Sequence, residues 1–543
     1  MSAPAVHDAA ATRRSSRIRQ ALRRLRGLGE AAFNAIPLAF AILAISIPVL
    51  LLPVTPEQAE IEPGLYPLAL TMVALSAVRL AFLIAEDRPK IVAGTFWMFL
   101  YIAVGVVPLA QLNTQSFGFF LVEHGYMTAA EVIFLVAAIA FEVGHRLGRV
   151  SEAAADAPRR ASRVLTRPRL VGLSIFATLA TIVYVRGIGG PAVFFQSRSA
   201  LTAAYESSGL RSESSQVLSG LLSSASAGPS LVALIGWLIV IRVRKDRRPT
   251  DFLWLGWVLA LNIVVNNPLI SARYWALTVL VGLAYALPGM GRRRFTWVII
   301  FGILGALVVF PYTDVTRYSS LGEGTAVEVE SVADKIATKD YDQVVMTANG
   351  VNYIEKEGFA LGHQTGSALL FWVPRSMWPD KGKDTGVLLG DYFDLYISNL
   401  SSPLPVEVWI DFGWLGMGLA FVAFGYGSRR MEDRLRFDGP IGFGHTTLPA
   451  LLLPLLAGYG FILMRGPLLQ SMSRLAAMVA ACILVTAIVR EGGDDARGRT
   501  RRRVTLRDGR VLTVKTKVPL ARGNARNTLT GRASRNGGND DAD

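Results

Sequence analysis

The run Phe371-Trp372-Val373-Pro374-Arg375-Ser376-Met377-Trp378-Pro379-Asp380-Lys381 is the densest gathering of chemistry-bearing side chains in this sequence. Arg375 offers a planar fork of donors that matches a phosphate or carboxylate, and Lys381 a compact point charge. Each proline holds the residue before it extended, Val373 in one case and Trp378 in the other. Trp372 and Trp378 offer an apolar wall. Such a wall either stacks on a sugar ring or pins the segment at headgroup level, and the residues leave both open. A second set of charges flanks apolar stretches elsewhere: Arg186, Arg198, Arg211, Arg273, Arg465 and Arg474, with Glu407 and Asp411. A charge at the centre of a spanning helix costs about 2.5–3.5 kcal/mol on insertion scales, so it faces a cavity or a partner. Any one of these arginines suits snorkelling or packing against a carboxylate. As a set they point to a cavity that takes an anion.

The elements that must position these groups are membrane spans. The chain has 543 residues, 52% of them hydrophobic, with a mean hydropathy of +0.39. Stretches long enough to cross about 30 Å of hydrocarbon recur along it. Twelve are expected, at 35–53, 66–85, 92–112, 126–144, 168–187, 222–241, 251–268, 271–288, 295–312, 405–427, 446–464 and 467–489. The expected class is therefore all-α and polytopic.

Charge placement orients the spans. Residues 1–34 form a basic arm with seven arginines, and most of the 56 Lys and Arg fall there, on every second connection, and in the tail 490–543. The connections 54–65 and 113–125 hold none. Cytoplasmic connections carry the basic excess, so both termini are expected inside and the loop 313–404 outside. Within that loop, Ile336, Val344, Val345, Val351 and Ile354 recur at helical spacing, which predicts one or two helices lying on the outer face. The tail is expected to be mostly disordered, with a local hairpin turning at Asp508-Gly509.

The net charge of +15 follows from this topology and suits anionic lipid headgroups. It does not indicate nucleic acid, because no stacking aromatics interleave the arginine runs. A single cysteine, Cys482, excludes an internal disulfide and a thiolate metal cluster. Asp340-Tyr341-Asp342 has the spacing of a metal-holding acidic pair, but three residues match by chance too readily to carry a metal assignment. Gly187-Ile188-Gly189-Gly190 lacks a preceding strand and is a turn rather than a dinucleotide fingerprint. His363 has the intrinsic pKa of a general base, and equally suits a surface role. No cofactor is expected.

Several of these residues together resemble a family. Tyr341-Asp342, Gly362-His363-Gln364 and the run 371–381 are similar to the loop of bacterial O-antigen polymerases (Wzy type, oligosaccharide repeat unit polymerases). Pro405-Val406-Glu407 with Asp411-Phe412-Gly413-Trp414-Leu415-Gly416 resembles the entry to their next span. Asn267-Pro268 with Ser271 and Arg273 resembles an earlier arginine-bearing span start, and Gly189-Gly190 before Arg198 resembles another outside segment. The resemblance covers about residues 185–430. Pro-Arg-x-x-Trp-Pro-x-Lys is its most specific part, and it leaves the basic arm and tail without a role.

The resemblance implies a GT-C-like membrane glycosyltransferase. It would join oligosaccharides carried on polyprenyl diphosphate at the outer face of the bacterial inner membrane, alongside a flippase and a chain-length regulator. It implies Arg198, Arg273, Arg375 and, second, Lys381 for the diphosphate, and Asp342, His363 or Glu407 for the base. Trp378 would serve as the sugar platform, and no metal would be needed. An O-antigen ligase-like transferase and a lipid-linked-glycan flippase are the rival classes. A flippase would carry polar groups and broken helices near mid-membrane, whereas here the charges gather at one level.

Overall fold

Apolar stretches of this length must satisfy their own backbone polar groups in lipid, and the helix does so within one segment. The chain is accordingly mostly helical in a computed structural model. It describes residues 33–118, 120–151, 161–196, 198–207, 216–267, 271–288, 290–311, 331–337, 341–396, 400–435, 446–491, 501–505 and 511–515. Most of the basic arm, Arg211, Pro268, Asp340, Asn399 and the Asp508-Gly509 turn lie outside them.

Each apolar stretch becomes a helix. The first six are α1 (Phe33–Leu51), α2 (Leu65–Ala85), α3 (Ile91–Thr114), α4 (Met127–Leu147), α5 (Arg167–Gly187) and α6 (Gln216–Val243). Three shorter ones follow, α7 (Pro249–Val265), α8 (Arg273–Ala286) and α9 (Arg292–Leu304). After the long loop's own helices come three more, Leu404–Glu432, Leu448–Arg465 and Leu468–Val485.

Among the described residues, nine helices are long and apolar enough to cross a membrane. The chain is thus a multi-pass helical membrane protein by length and composition. The other three of the twelve expected spans fall short. α8, with 14 residues, rises only about 21 Å. Its start is set by Asn266 and Asn267, whose side chains turn to carbonyls of Ala227 and Phe194 and end α7 instead of prolonging it.

The long loop supplies α10 (Val332–Ile336), α11 (Gln343–Glu357), α12 (His363–Leu369) and α13 (Thr385–Tyr392). The helical spacing of Ile336, Val344, Val345, Val351 and Ile354 is realised, and all five are buried. The expected position is corrected: α11 does not lie on a face but is buried along almost its whole length. Its polar residues explain how this is tolerated. Asn349 Nδ2 donates to the Phe120 carbonyl, and Val122 N–H donates to Asn349 Oδ1 at 3.3 Å. Lys356 pairs with Glu123 at 2.8 Å.

After the loop come α14 (Leu404–Glu432), α15 (Leu448–Arg465) and α16 (Leu468–Val485). α14 breaks helical geometry at Gly413. It then packs along α4 through small residues. A Cβ on Gly425 would come within 2.0 Å of the Phe141 carbonyl, and one on Gly144 within 2.0 Å of the Val422 carbonyl. Backbones approach this closely in membranes where glycines face each other. In the chain's second compact unit, β-strands Arg501–Thr505 and Val511–Lys515 pair antiparallel with Val504 opposite Leu512.

Gly425→Ala should force α4 and α14 apart and lower stability by about 1–3 kcal/mol, the usual cost of overpacking. Gly427→Ala, where a Cβ meets nothing within 4 Å, is the matched control. Thermal melting of the detergent-solubilised chain would show the first shifted and the second unchanged.

Candidate functional site

Three arginines from three helices converge at the loop end of the bundle. Arg273 is the first residue of α8, Arg465 the last of α15, and Arg474 lies on α16. Together they line a chamber of about 350 Å³ with Tyr274, Tyr459 and Gln470, and with Ser223, Ser224, Ser471 and Ser473. Among the described residues no Asp or Glu belongs to that lining.

Each guanidinium lies over a ring: Arg273 over Phe310 at 5.1 Å, Arg465 over Tyr274 at 4.8 Å, Arg474 over Trp275 at 5.1 Å. Stacking holds the plane of the group and directs its N–H donors sideways, the geometry in which guanidinium meets phosphate. Trp275 is fixed in turn by donating to Asn266 Oδ1 at 2.8 Å.

Arg465 is braced from the loop side. Its Nη2 stands 3.9 Å from Asp342 Oδ1, and its carbonyl accepts from Ser402 N–H at 3.1 Å. The next residue, Gly466, has φ +68°, and a Cβ there would lie 1.5 Å from the Ser402 carbonyl. Only glycine fits, for both reasons.

A second chamber of about 860 Å³ adjoins the first, and both are lined by Gly220, Gln470 and Ser473. Its lining carries Arg375, Lys381, Lys383 and Asp384. Lys383 pairs with Asp391 at 2.6 Å. Asp384 caps α13, accepting from Gly386 N–H at 3.1 Å. Burial pushes its pKa up to about 6, against the pull of the Gly386 and Val387 amides and of Arg465.

The run 371–381 folds back on itself. Arg375 donates through Nη1 to the Lys381 carbonyl at 2.5 Å and through Nη2 to the Gly382 carbonyl at 3.0 Å. Lys381 donates to the Phe371 and Val373 carbonyls, each at 2.9 Å. Burial, then the neighbouring Arg375, pulls its ammonium below the usual lysine value. His363 donates from Nε2 to the Asp380 carbonyl at 2.7 Å, which leaves the proton on that nitrogen. Trp378 meets the His363 ring edge-on. The charges and rings of this run thus hold its own turn, while Arg375 and Lys381 also border the second chamber.

The residues singled out from sequence are therefore distributed unevenly. Arg273 lines the first chamber, and Arg375 and Lys381 line the second. Trp378 and His363 line neither and brace the loop. Asp342 is buried and accepts from Ser401 N–H at 3.0 Å and from Gln343 Nε2 at 3.2 Å, so its part here is to hold Arg465. Glu407 is buried behind both chambers, beside Thr385, Ser402 and the Leu468 amide and close to Asp384. Arg198 begins a short helix, Arg198–Ser207, and its side chain lies outside the described residues. Asp384 was missed, because an Asp before a helical stretch reads as an ordinary cap. Arg465 and Arg474 were visible as outlying charges, but nothing in one dimension brings them to Arg273. Among the described residues no group of three His, Cys, Asp or Glu could hold a metal ion.

No protein-family model, curated protein or solved structure matches this chain.

Lys381→Ala should leave two carbonyls of the turn without their donor, costing about 1–3 kcal/mol locally. Limited proteolysis should then cut between Phe371 and Lys383 several times faster than in the parent. An unchanged rate would mean that the turn does not depend on this ammonium.

Proposed function

We propose that this chain is a membrane glycosyltransferase that polymerises polyprenyl-diphosphate-linked oligosaccharide repeat units into a surface polysaccharide. One observation carries the proposal. Three arginines, each over an aromatic ring, converge on one chamber, and that chamber shares a wall with another that holds a carboxyl of raised pKa. The likeness of the run 371–381 and of the segments around Arg273 and Glu407 to O-antigen polymerases supports it. In this proposal all twelve helices cross the membrane in a GT-C-like arrangement. The termini are cytoplasmic, and both chambers open at the outer face of the bacterial inner membrane.

The donor's leaving group is a diphosphate. As the acceptor hydroxyl oxygen bonds to the anomeric carbon, the bond from that carbon to the diphosphate oxygen breaks. Negative charge then grows on the departing lipid diphosphate. Arg273, Arg465 and Arg474 sit where preorganised donors would stabilise that charge without reorganising. Gln470 and Ser473, on the shared wall, are placed to orient the sugars between chambers. Asp384 accepts the hydroxyl proton. With a pKa of about 6 it is mostly ionised at pH 7 and still basic enough to help. A ligase-like transferase would use the same first chamber with a different acceptor, and the products separate the two.

Arg474→Ala and Arg273→Ala should each abolish long polymer in cells and leave single repeat units on the carrier or on the surface core. Lysine at either position should restore little, since it cannot offer the fork of donors. Full-length polymer at normal abundance in both alanine variants would overturn the proposal. Loss of every glycan form, single units included, would favour the ligase class.

The pH dependence follows from Asp384. Its base form is lost as pH falls through about 6, so the rate should fall about tenfold per unit below that point and level off above it. Asp384→Asn should remove this limb and lower the rate by about 10²–10⁴-fold, the usual contribution of a general base. Reconstituted protein with a lipid-linked acceptor and donor is the system for this measurement. An unaltered pH profile in the variant would remove Asp384 from the chemistry.

A further inference from the structure

A third charged cavity lies at the C-terminal end of α14. Glu407 and Arg429 are 22 positions apart on that helix, about 33 Å at helical rise. The cavity measures about 1220 Å³ and is walled by α2, α4, the connection from Glu86 to Lys90, and the end of α14. Six cations line it: Arg79, Arg88, Lys90, Arg146, Arg149 and Arg429. Four carboxylates also line it: Glu86, Asp87, Glu142 and Asp433.

The acids are shared between cations. Glu142 takes both Arg79 at 2.8 Å and Arg146 at 3.0 Å. Asp433 takes the buried Lys90 and also Arg429 at 2.9 Å. The lining is left with more positive than negative charge. His145 is 1% exposed. Its Nδ1 faces Arg79 Nη2 at 3.4 Å, so Nδ1 accepts and Nε2 carries the proton. Nε2 has no hydrogen-bond partner and stands 3.9 Å from Glu432.

One wall of the same cavity is apolar: Leu75, Val78 and Phe82, successive turns of α2. Val78 is 40% and Phe82 61% exposed, on a helix that is itself long and apolar enough to span. A cation-rich floor beside a lipid-facing apolar wall matches one class of molecule. We propose that this cavity is a site for an anionic phospholipid of the adjoining leaflet. Its phosphate would lie among Arg79, Arg146, Arg149 and Arg429, and an acyl chain against Val78 and Phe82. Basic pockets between spanning helices take anionic headgroups in this way. The site is independent of the glycosyl-transfer proposal and of which face is cytoplasmic.

The test is native mass spectrometry of the full chain in detergent, titrated with phosphatidylglycerol or phosphatidylcholine of matched chains. The expected result is retention of one phosphatidylglycerol, preferred at least fivefold. Removal of each cation near the headgroup should weaken retention about fivefold. Arg146→Glu with Arg149→Glu should therefore erase the preference; the Arg146 side chain is 78% exposed, so the fold tolerates the change. Phe82→Ser, also at the surface, should weaken retention through the acyl chain alone. Equal retention of the two lipids overturns the proposal. So does a preference that survives the double charge reversal. Displacement of phosphatidylglycerol by millimolar inorganic phosphate, with Phe82→Ser without effect, would assign the cavity to a free anion and overturn the lipid.

Discussion

Arg465 is where the separate parts of this molecule meet. Its guanidinium lies over Tyr274 of α8 and faces Asp342 at the head of α11. Its carbonyl receives the Ser402 N–H from the strap that leads into α14. Gly466, next to it, presses so closely on Ser402 that no side chain fits. Two points of the long loop, Asp342 and Ser402, are thus tied to the bundle by one residue. Asp342 reinforces the tie by accepting from Ser401 as well as facing the arginine. A loop of this length without such a closure would carry the full entropy of its ends. With it, α11 can sink among the spanning helices, and α13 can bring Asp384 towards the arginines.

Stacking is the second constraint. Three guanidinium groups around one small volume repel one another, and the carboxylate that faces them, Asp342 at Arg465, stands outside the lining. Aromatic faces offset part of this without supplying a negative charge that would compete with a ligand. Phe310, Tyr274 and Trp275 do this from neighbouring positions, two of them consecutive on α8. The electrostatics therefore favours an incoming anion with several oxygens. Had the arginines been neutralised by Asp or Glu within the lining, the same cavity would be a structural ion-pair network.

Much of the architecture could be read from one dimension, because hydropathy and basic connections follow from the physics of lipid itself. Each of the twelve apolar stretches became a helix within a few residues of its expected bounds. Three do not meet the length and composition of a span taken alone: α7 and α8 are short, with Asn266 and Asn267 turning their side chains onto carbonyls between them, and α9 opens on three arginines. The burial of α11 was not readable, because Thr347 and Asn349 look like surface residues until the first is seen to donate to the Gln343 carbonyl and the second to the Phe120 carbonyl. The run 371–381 was visible as unusual, yet its two cations, Arg375 and Lys381, donate to carbonyls of residues 371–382. That outcome is a matter of rotamers and turns. Asp384 hid for a related reason: it reads as a helix cap, which it is, and only the fold shows that it also borders a cavity.

The Arg465 chamber and the Arg429 cavity hold their cations differently. In the first, each guanidinium meets a ring, and Asp342 faces Arg465 from outside the lining. At the Arg429 end, every lining acid with a described partner is bound to a cation, and Glu142 and Asp433 each hold two. Paired charges keep their geometry whether or not a ligand is present, so that end can hold a lipid and stay in register with α2 and α4. If the Arg465 chamber takes a diphosphate as proposed, its three guanidinium groups gain from the arrival of that anion and must give it up when the product leaves. α14 is interrupted at Gly413; beyond that break it lies against α4, where Gly425 and Gly144 let the backbones meet, and ends at the paired charges of the Arg429 cavity.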